Sequence, residues 1–260
     1  IKKEATIIFF YPAFRITFKP TVMKKIIVAS FLIMLAVSVT AQKTFNGENA
    51  QKRNVSSFHG INVATGIELV MVQGNSEEVA VSAATPEFRD KIVTKVENGI
   101  LRIYYEDKLK ARNTRKVKKE LKAWVSYKSI DELNATTGAH VTIEDILKSS
   151  SLKMKVNTGA QVTGKVSTGS LSISQSTGSI ARLSGDAQKL EADGSTGSLF
   201  KGEDLRSEVC DVKVSTGAGI TITADKELYA KANTGGSVKY KGDASVREIK
   251  KGTGGSVSKM

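Results

Sequence analysis

One cysteine, three prolines and two histidines serve a chain of 260 residues, and each scarcity closes off a class of explanation. Cys210 alone cannot build an intramolecular disulfide framework. His59 and His140 lie far apart and share the chain with that single cysteine, so they make a poor ligand set for a transition metal. They offer equally little to nucleophilic catalysis, which needs a base held by a partner beside a Ser or Cys. His140 falls on the parity opposite Val141 and is expected to face solvent. The expected catalytic, cofactor-binding and metal-binding sets are therefore all none. Three prolines against 22 glycines suit tight stacked turns better than polyproline segments.

Long apolar runs are also missing, with one exception near the start. Residues 26–39 form a fourteen-residue apolar run behind Met23 and Lys24-Lys25, and Val39-Thr40-Ala41 supplies slim residues at its end. As a helix this run would rise only ~21 Å, against a hydrocarbon core of ~30 Å. It reads as a signal peptide over residues 23–41, cut between Ala41 and Gln42, and not as a membrane anchor. No Cys follows that cut, so a lipid attached there is not expected. Residues 1–22 hold four of the nine Phe and two of the three Pro, unlike anything downstream, and read as a mis-called upstream extension. Residues 42–54 are then an N-terminal linker and 55–260 one domain.

The net charge of the whole chain is +13. Residues 1–41 contain six basic groups and one acid, so the remainder carries +8. An exported basic protein meets no nucleic acid, and its acidic partners would be envelope lipids, surface glycans or envelope proteins. Periplasmic, surface and secreted locations all stay open, with no membrane span expected after cleavage.

What the chain has in plenty is Thr-Gly. The pair, followed by a small residue, begins at Thr137, Thr158, Thr168, Thr177, Thr196, Thr216, Thr234 and Thr253, in steps of 21, 10, 9, 19, 20, 18 and 19 residues. The period is close to twenty, with one coil split in two at Thr168. A fixed period of that size predicts an all-β solenoid of stacked ~20-residue coils. Roughly ten coils at ~4.8 Å would give a column about 48 Å long. Gly185-Asp186-Ala187 and Gly242-Asp243-Ala244, each eleven residues before a Thr-Gly pair, read as a second turn in the coil.

Alternation supports strands. Ile61, Val63, Thr65, Ile67, Leu69 and Met71 share one parity without interruption, as do Val212, Val214, Thr216, Ala218, Ile220 and Ile222. Thr of the pair sits on the apolar parity, which predicts its methyl facing inward. Because parity runs on through Gly159 and Gly217, those two glycines are expected at close approaches or gentle bulges, whereas the coils at Thr168, Thr177 and Thr196 are expected to turn. Cys210 shares the phase of Val212 and Val214 and should pack inward. Further strands are expected at Val79–Val81, at 100–104 and at 124–127.

Two charge patterns invite a ligand. Asp186, Asp193, Asp204, Asp211, Asp225 and Asp243 could align in an outward column able to take calcium, or could each stabilise a turn beside a glycine. Lys108, Lys110, Arg112, Arg115, Lys116, Lys118, Lys119 and Lys122, against Glu120, form an exposed basic segment that could hold an anionic ligand or only solvate a loop. Tyr104, Tyr105, Trp124 and Tyr127 flank it, either as sugar-facing aromatics or as core cover.

Phe58, Gly60-Ile61-Asn62-Val63, Gly66-Ile67 and Gln73-Gly74, followed by the Thr-Gly coils, resemble the auto-transporter adhesin family called the head GIN domain, found in exported proteins of Bacteroidetes-type bacteria. The resemblance spans about residues 55–260. It implies a single-stranded right-handed parallel β-helix and an exported location, and it carries over no catalytic residues. The function expected is a non-enzymatic exported adhesin or envelope-binding module, with a polysaccharide lyase or glycoside hydrolase acting on an acidic glycan as the alternative. The chain finishes on Ser256-Val257-Ser258-Lys259-Met260 without an evident cap, which leaves self-association open.

Overall fold

The structure, a computed structural model, describes residues 49–106 and 118–260. It is a β-solenoid of about seven turns. The strands are β1 (Gln51–Arg53), β2 (Gly60–Val63), β3 (Glu68–Gln73), β4 (Glu78–Ser82), β5 (Ile92–Glu97), β6 (Ile100–Tyr105), β7 (Lys122–Tyr127), β8 (Glu132–Ala135), β9 (His140–Val156), β10 (Gln161–Gln175), β11 (Ile180–Gly194), β12 (Leu199–Val214), β13 (Gly219–Ala232), β14 (Ser237–Lys241), β15 (Ser245–Lys251) and β16 (Ser256–Lys259). One short helix, α1 (Pro86–Asp90), joins β4 to β5.

From β9 to β13 each strand forms nearly a whole coil and pairs in parallel with the coil before and the coil after. Four residues separate one such strand from the next, and they are where the sequence repeat lies. Ala160 N–H donates to Asn157 O at 3.1 Å and Ala218 N–H to Ser215 O at 3.0 Å, closing four-residue turns around Thr158-Gly159 and Thr216-Gly217. Thr158 (φ 51°) and Gly159 (φ 70°) both have positive φ, the signature of a type I′ turn. The turns then bond to one another. Gly66 N–H donates to Thr137 O, Gly138 to Thr158 O, Gly159 to Thr177 O, Gly178 to Thr196 O, Gly197 to Thr216 O, Gly217 to Thr234 O and Gly235 to Thr253 O, at 2.9–3.1 Å. Seven hydrogen bonds thus tie eight turns into one ladder.

This ladder corrects several expectations. Thr168-Gly169 is not a member, because both residues lie inside β10. The missing member is Thr65-Gly66, which breaks the apparent run at 61–71 into β2 and β3. Gly159 and Gly217 turn as Gly178 and Gly197 do, and the threonines are exposed, not inward. The physical reason is even spacing. Val63 and Ile67, or Val214 and Ala218, are both buried and four apart, so a turn between them preserves parity while its Thr swings out to solvent. In five of the turns the Ala or Ser after the pair lies inside the corner: Ala139, Ala160, Ser179, Ser198 and Ala218 are all buried.

Gly185 and Gly242 also depart from simple turns. Gly185 sits within β11 with φ 106° and Gly242 bends the chain after β14 with φ 100°. A Cβ on either would fall on the carbonyl oxygen of the preceding coil, Val166 O or Ala224 O, so these corners need glycine for close approach.

Inward residues stack coil on coil. Leu152, Leu171, Leu190, Cys210 and Leu228 are register partners in succession and all are fully buried. Each such Leu contributes about 1.5–3 kcal/mol by leaving water. Cys210 is one rung of this leucine ladder, as its parity predicts, and burial pushes its thiol up to about 12.

The first coils are built differently, and they explain why about seven turns stand where roughly ten were expected. β4 pairs antiparallel with β1 and β7, and β5 pairs antiparallel with β6, so these residues spend chain on hairpins and on α1. Thr85 caps that helix, accepting from Phe88 N–H at 3.3 Å, with Pro86 in its first turn. The strands expected at Val79–Val81, 100–104 and 124–127 are β4, β6 and β7.

Candidate functional site

Five members of the expected basic segment, Lys108, Lys110, Arg112, Arg115 and Lys116, lie outside the described residues. The other three lead into β7. Lys118 is exposed, Lys119 Nζ stands 4.2 Å from the centre of the Tyr105 ring, and Lys122 opens the strand with its side chain outward. The aromatics divide by role. Tyr105 and Tyr127 are core residues, and burial raises the Tyr127 hydroxyl above its ordinary pKa. Tyr104 and Trp124 are partly exposed on the outer surface.

The aspartates do not form one column. Asp193 has Ser174 and Lys213 as register neighbours, and Asp211 has Glu191 and Tyr229. Asp225 Oδ2 accepts from Arg206 Nε at 3.2 Å and Nη2 at 3.0 Å. Asp204 lies 4.0 Å from Lys241 Nζ. Among the described residues no three His, Cys, Asp or Glu side chains converge as a metal site. A groove of about 500 Å³ runs past Ser167, Asp186, Gln188, Arg206 and Asp225, but the Arg206 cation in it is already met by Asp225.

The histidines are placed by the backbone. His140 Nδ1–H donates to Gly138 O at 3.0 Å beside its turn, with the ring in solvent. His59 Nδ1 lies 2.8 Å from Asp131 Oδ1, and the hydrogen bond with that carboxylate raises the His59 pKa. Asp131 N–H also donates to His59 O at 2.9 Å, so the pair locks the approach to β2 onto the approach to β8.

Charge is distributed unequally between the two broad faces of the coils, which no reading of single motifs reveals. On the face made by the strand halves preceding the turns, cations and carboxylates pair from β11 onward, while Lys153 and Lys155 of β9 have no ion pair among the described residues. Lys189 Nζ is 2.6 Å from Glu191, Lys213 is 3.7 Å from Asp211, and Lys231 and Lys250 meet Glu248 at 3.6 and 2.5 Å. Lys189 holds the Glu191 carboxyl below its usual range. On the face made by the halves following the turns, the outward residues of β9–β14 and β16 include no carboxylate at their first and third positions. Arg182, Lys201 and Lys239 stand there without an ion-pair partner among the described residues.

These three belong to one register column. Trp124 on β7 pairs with Val70 on β3, and Val70 with Thr142 on β9. Thr142 continues to Thr163, Arg182 and Lys201. Lys201 leads to Thr221, Lys239 and finally Ser258 on β16. The carboxylates nearest this face sit at its margins: Glu68 beside Lys122, and Glu144, Glu203 and Asp204 at the corner. The arrangement can hold negative charge at repeated intervals, and its geometry contains no acid and base set at a shared point.

A solenoid of Thr-Gly coils with an open, regular outer face defines a class of stacked-strand β-solenoid proteins. Residues 57–244 match the family described as "Putative auto-transporter adhesin, head GIN domain", and the chain belongs to that family. Solved structures share the fold. A putative adhesin from Bacteroides fragilis has a TM-score of 0.72 at 18% identity, covering 81% of this chain and 96% of its own. A putative adhesin from Parabacteroides merdae gives 0.65 at 16%, covering 83% and 97%. A putative lipid binding protein from Parabacteroides distasonis gives 0.61 at 19%, covering 82% and 98%. No curated protein sequence matches the chain.

Proposed function

We propose that this chain works as a non-enzymatic binding or adhesion module at the cell envelope, exported by cleavage after Ala41. The observation that carries this reading is the outer face in which unpaired cations and hydroxyls repeat in strict register across the stacked strands. Such a face is rigid because each strand is fixed by its neighbours, and rigid repeating surfaces suit extended partners. Family membership supports the same reading.

The test is a turnover assay with the mature protein on a panel of acidic polysaccharides, run beside fractionation of the native cell. The expected outcome is no cleavage above a heat-killed control, with the protein in envelope or extracellular fractions and Gln42 as its first residue. Reproducible depolymerisation of any member of the panel would replace this reading with a lyase or hydrolase.

A further inference from the structure

We propose that the column running from Trp124 through Thr142, Thr163, Arg182 and Lys201 to Lys239 is a track for a linear anionic polysaccharide laid along the solenoid axis. The inference rests on the binding reading above and assigns it a face and a ligand class.

Register supplies the geometry. Arg182 and Lys201 are on adjacent strands and Lys201 and Lys239 are two strands apart, so their backbones are separated by about 4.8 Å and about 9.6 Å. An extended glycan advances by a comparable step per sugar, so acidic groups on successive or alternate sugars can meet these cations in turn. The Arg182 fork matches a carboxylate or sulfate ester by two parallel N–H···O bonds, and the lysines act as point charges. Thr142, Thr163 and Thr221 offer a hydroxyl each, able to donate or accept, between and beside the cations. At the far end the indole of Trp124 presents an amphipathic ring of the kind that takes a sugar face.

Two further observations choose a polymer over a bilayer. Along β11–β13 every lysine on the opposite face, Lys189, Lys213 and Lys231, is met by a carboxylate, whereas Arg182 and Lys201 on the following halves of β11 and β12 are not, among the described residues. Peripheral attachment to lipid draws on inserted apolar side chains. The large apolar residues most exposed on the described surface, Ile146, Val246, Ile249 and Met260, all lie off this column.

The experiment measures binding of the full mature protein to heparin, to polygalacturonate, to neutral dextran and to vesicles of phosphatidylcholine with phosphatidylglycerol. Both acidic polymers should bind and dextran should not. R182Q/K201Q should weaken binding to both by about tenfold and flatten its salt dependence, because two charge contacts are lost. W124L should weaken polymer binding without altering the salt slope, and K213Q/K231Q on the paired face should leave affinity unchanged. Circular dichroism and a cooperative melt establish that each variant is folded, and K239Q alone repeats the test should the double variant fail that check. Polymer binding unaltered by R182Q/K201Q or K239Q overturns the track while leaving a non-enzymatic binding module intact. Binding to vesicles and to neither polymer overturns the glycan in favour of a membrane surface. Failure of well-folded protein to bind any probe overturns the anionic ligand altogether.

Discussion

At the residue scale the unusual choice is threonine in a left-handed backbone. Thr65, Thr137, Thr158, Thr177, Thr196, Thr216 and Thr234 have φ between 45° and 63°, a region that a β-branched side chain enters only under constraint. Residues so held cost about 1–3 kcal/mol each, and here the constraint is the ladder of bonds above and below. Asn tolerates this conformation better and is the favoured first residue of a type I′ turn. Thr177→Asn should therefore raise stability by about 1 kcal/mol, read as a higher melting temperature. A lower melting temperature would show that stacked threonine side chains stabilise the turns by more than their backbones are strained. Thr was visible as a landmark in the sequence, but its direction was not, because parity is the same on either side of a four-residue turn.

At the scale of elements the histidine pair is the most directly testable contact. His59 and Asp131 join two loop approaches on the surface, with side chains 55% and 60% exposed, so salt will weaken the interaction. The His59 pKa lies above 6.5 in the folded protein because Asp131 bonds to it. The stabilisation is therefore fully present below the unfolded value near 6.5 and is lost as pH rises through the folded pKa. An NMR titration should place His59 above its unfolded value, and D131N should bring it down and remove this pH dependence from the melt. An unshifted His59 in the native protein would mean the pair does not persist in solution.

Elements also show how far sequence reasoning reached. Alternation at Val79, Val81 and at 100–104 located β4 and β6, since half-buried strands advertise themselves by period two. α1 was missed, because a five-residue helix is too short to carry a periodic signal, although Thr85-Pro86 is the one local mark of its start. β5 was hidden because burial along it is graded, with Ile92 buried and the five residues after it only partly so. The basic segment was conspicuous as a charge run. The column from Trp124 to Lys239 was not, because its members come from different coils and only the register of the ladder brings them into line. No local spacing encodes that.

At the scale of the whole molecule stability should be graded along the stack. β10, β11 and β12 are each paired on both sides over nearly their full lengths, whereas β16 pairs only with β14 and β15 only with β13 among the described strands. Stacked repeats behave as a near one-dimensional chain of neighbour interactions. Native-state hydrogen exchange should find the slowest amides in β10–β12 and the fastest in β15 and β16. Uniform protection along the stack would mean the rod opens only as one unit.

The turn ladder has a consequence for how such molecules can change size. From Thr137 onward every rung is nearly the same length, and each meets its neighbour through the same backbone groups. Excising residues 180–198 would bring Leu199 into the place of Ile180 beside Gln161, with the turn at Thr216 resting on the one at Thr177. Duplicating the same stretch would add one rung. Genetic gain or loss of about nineteen codons can therefore lengthen or shorten the molecule in steps of about 4.8 Å without new chemistry at the junction, so reach can evolve separately from what the outer face holds.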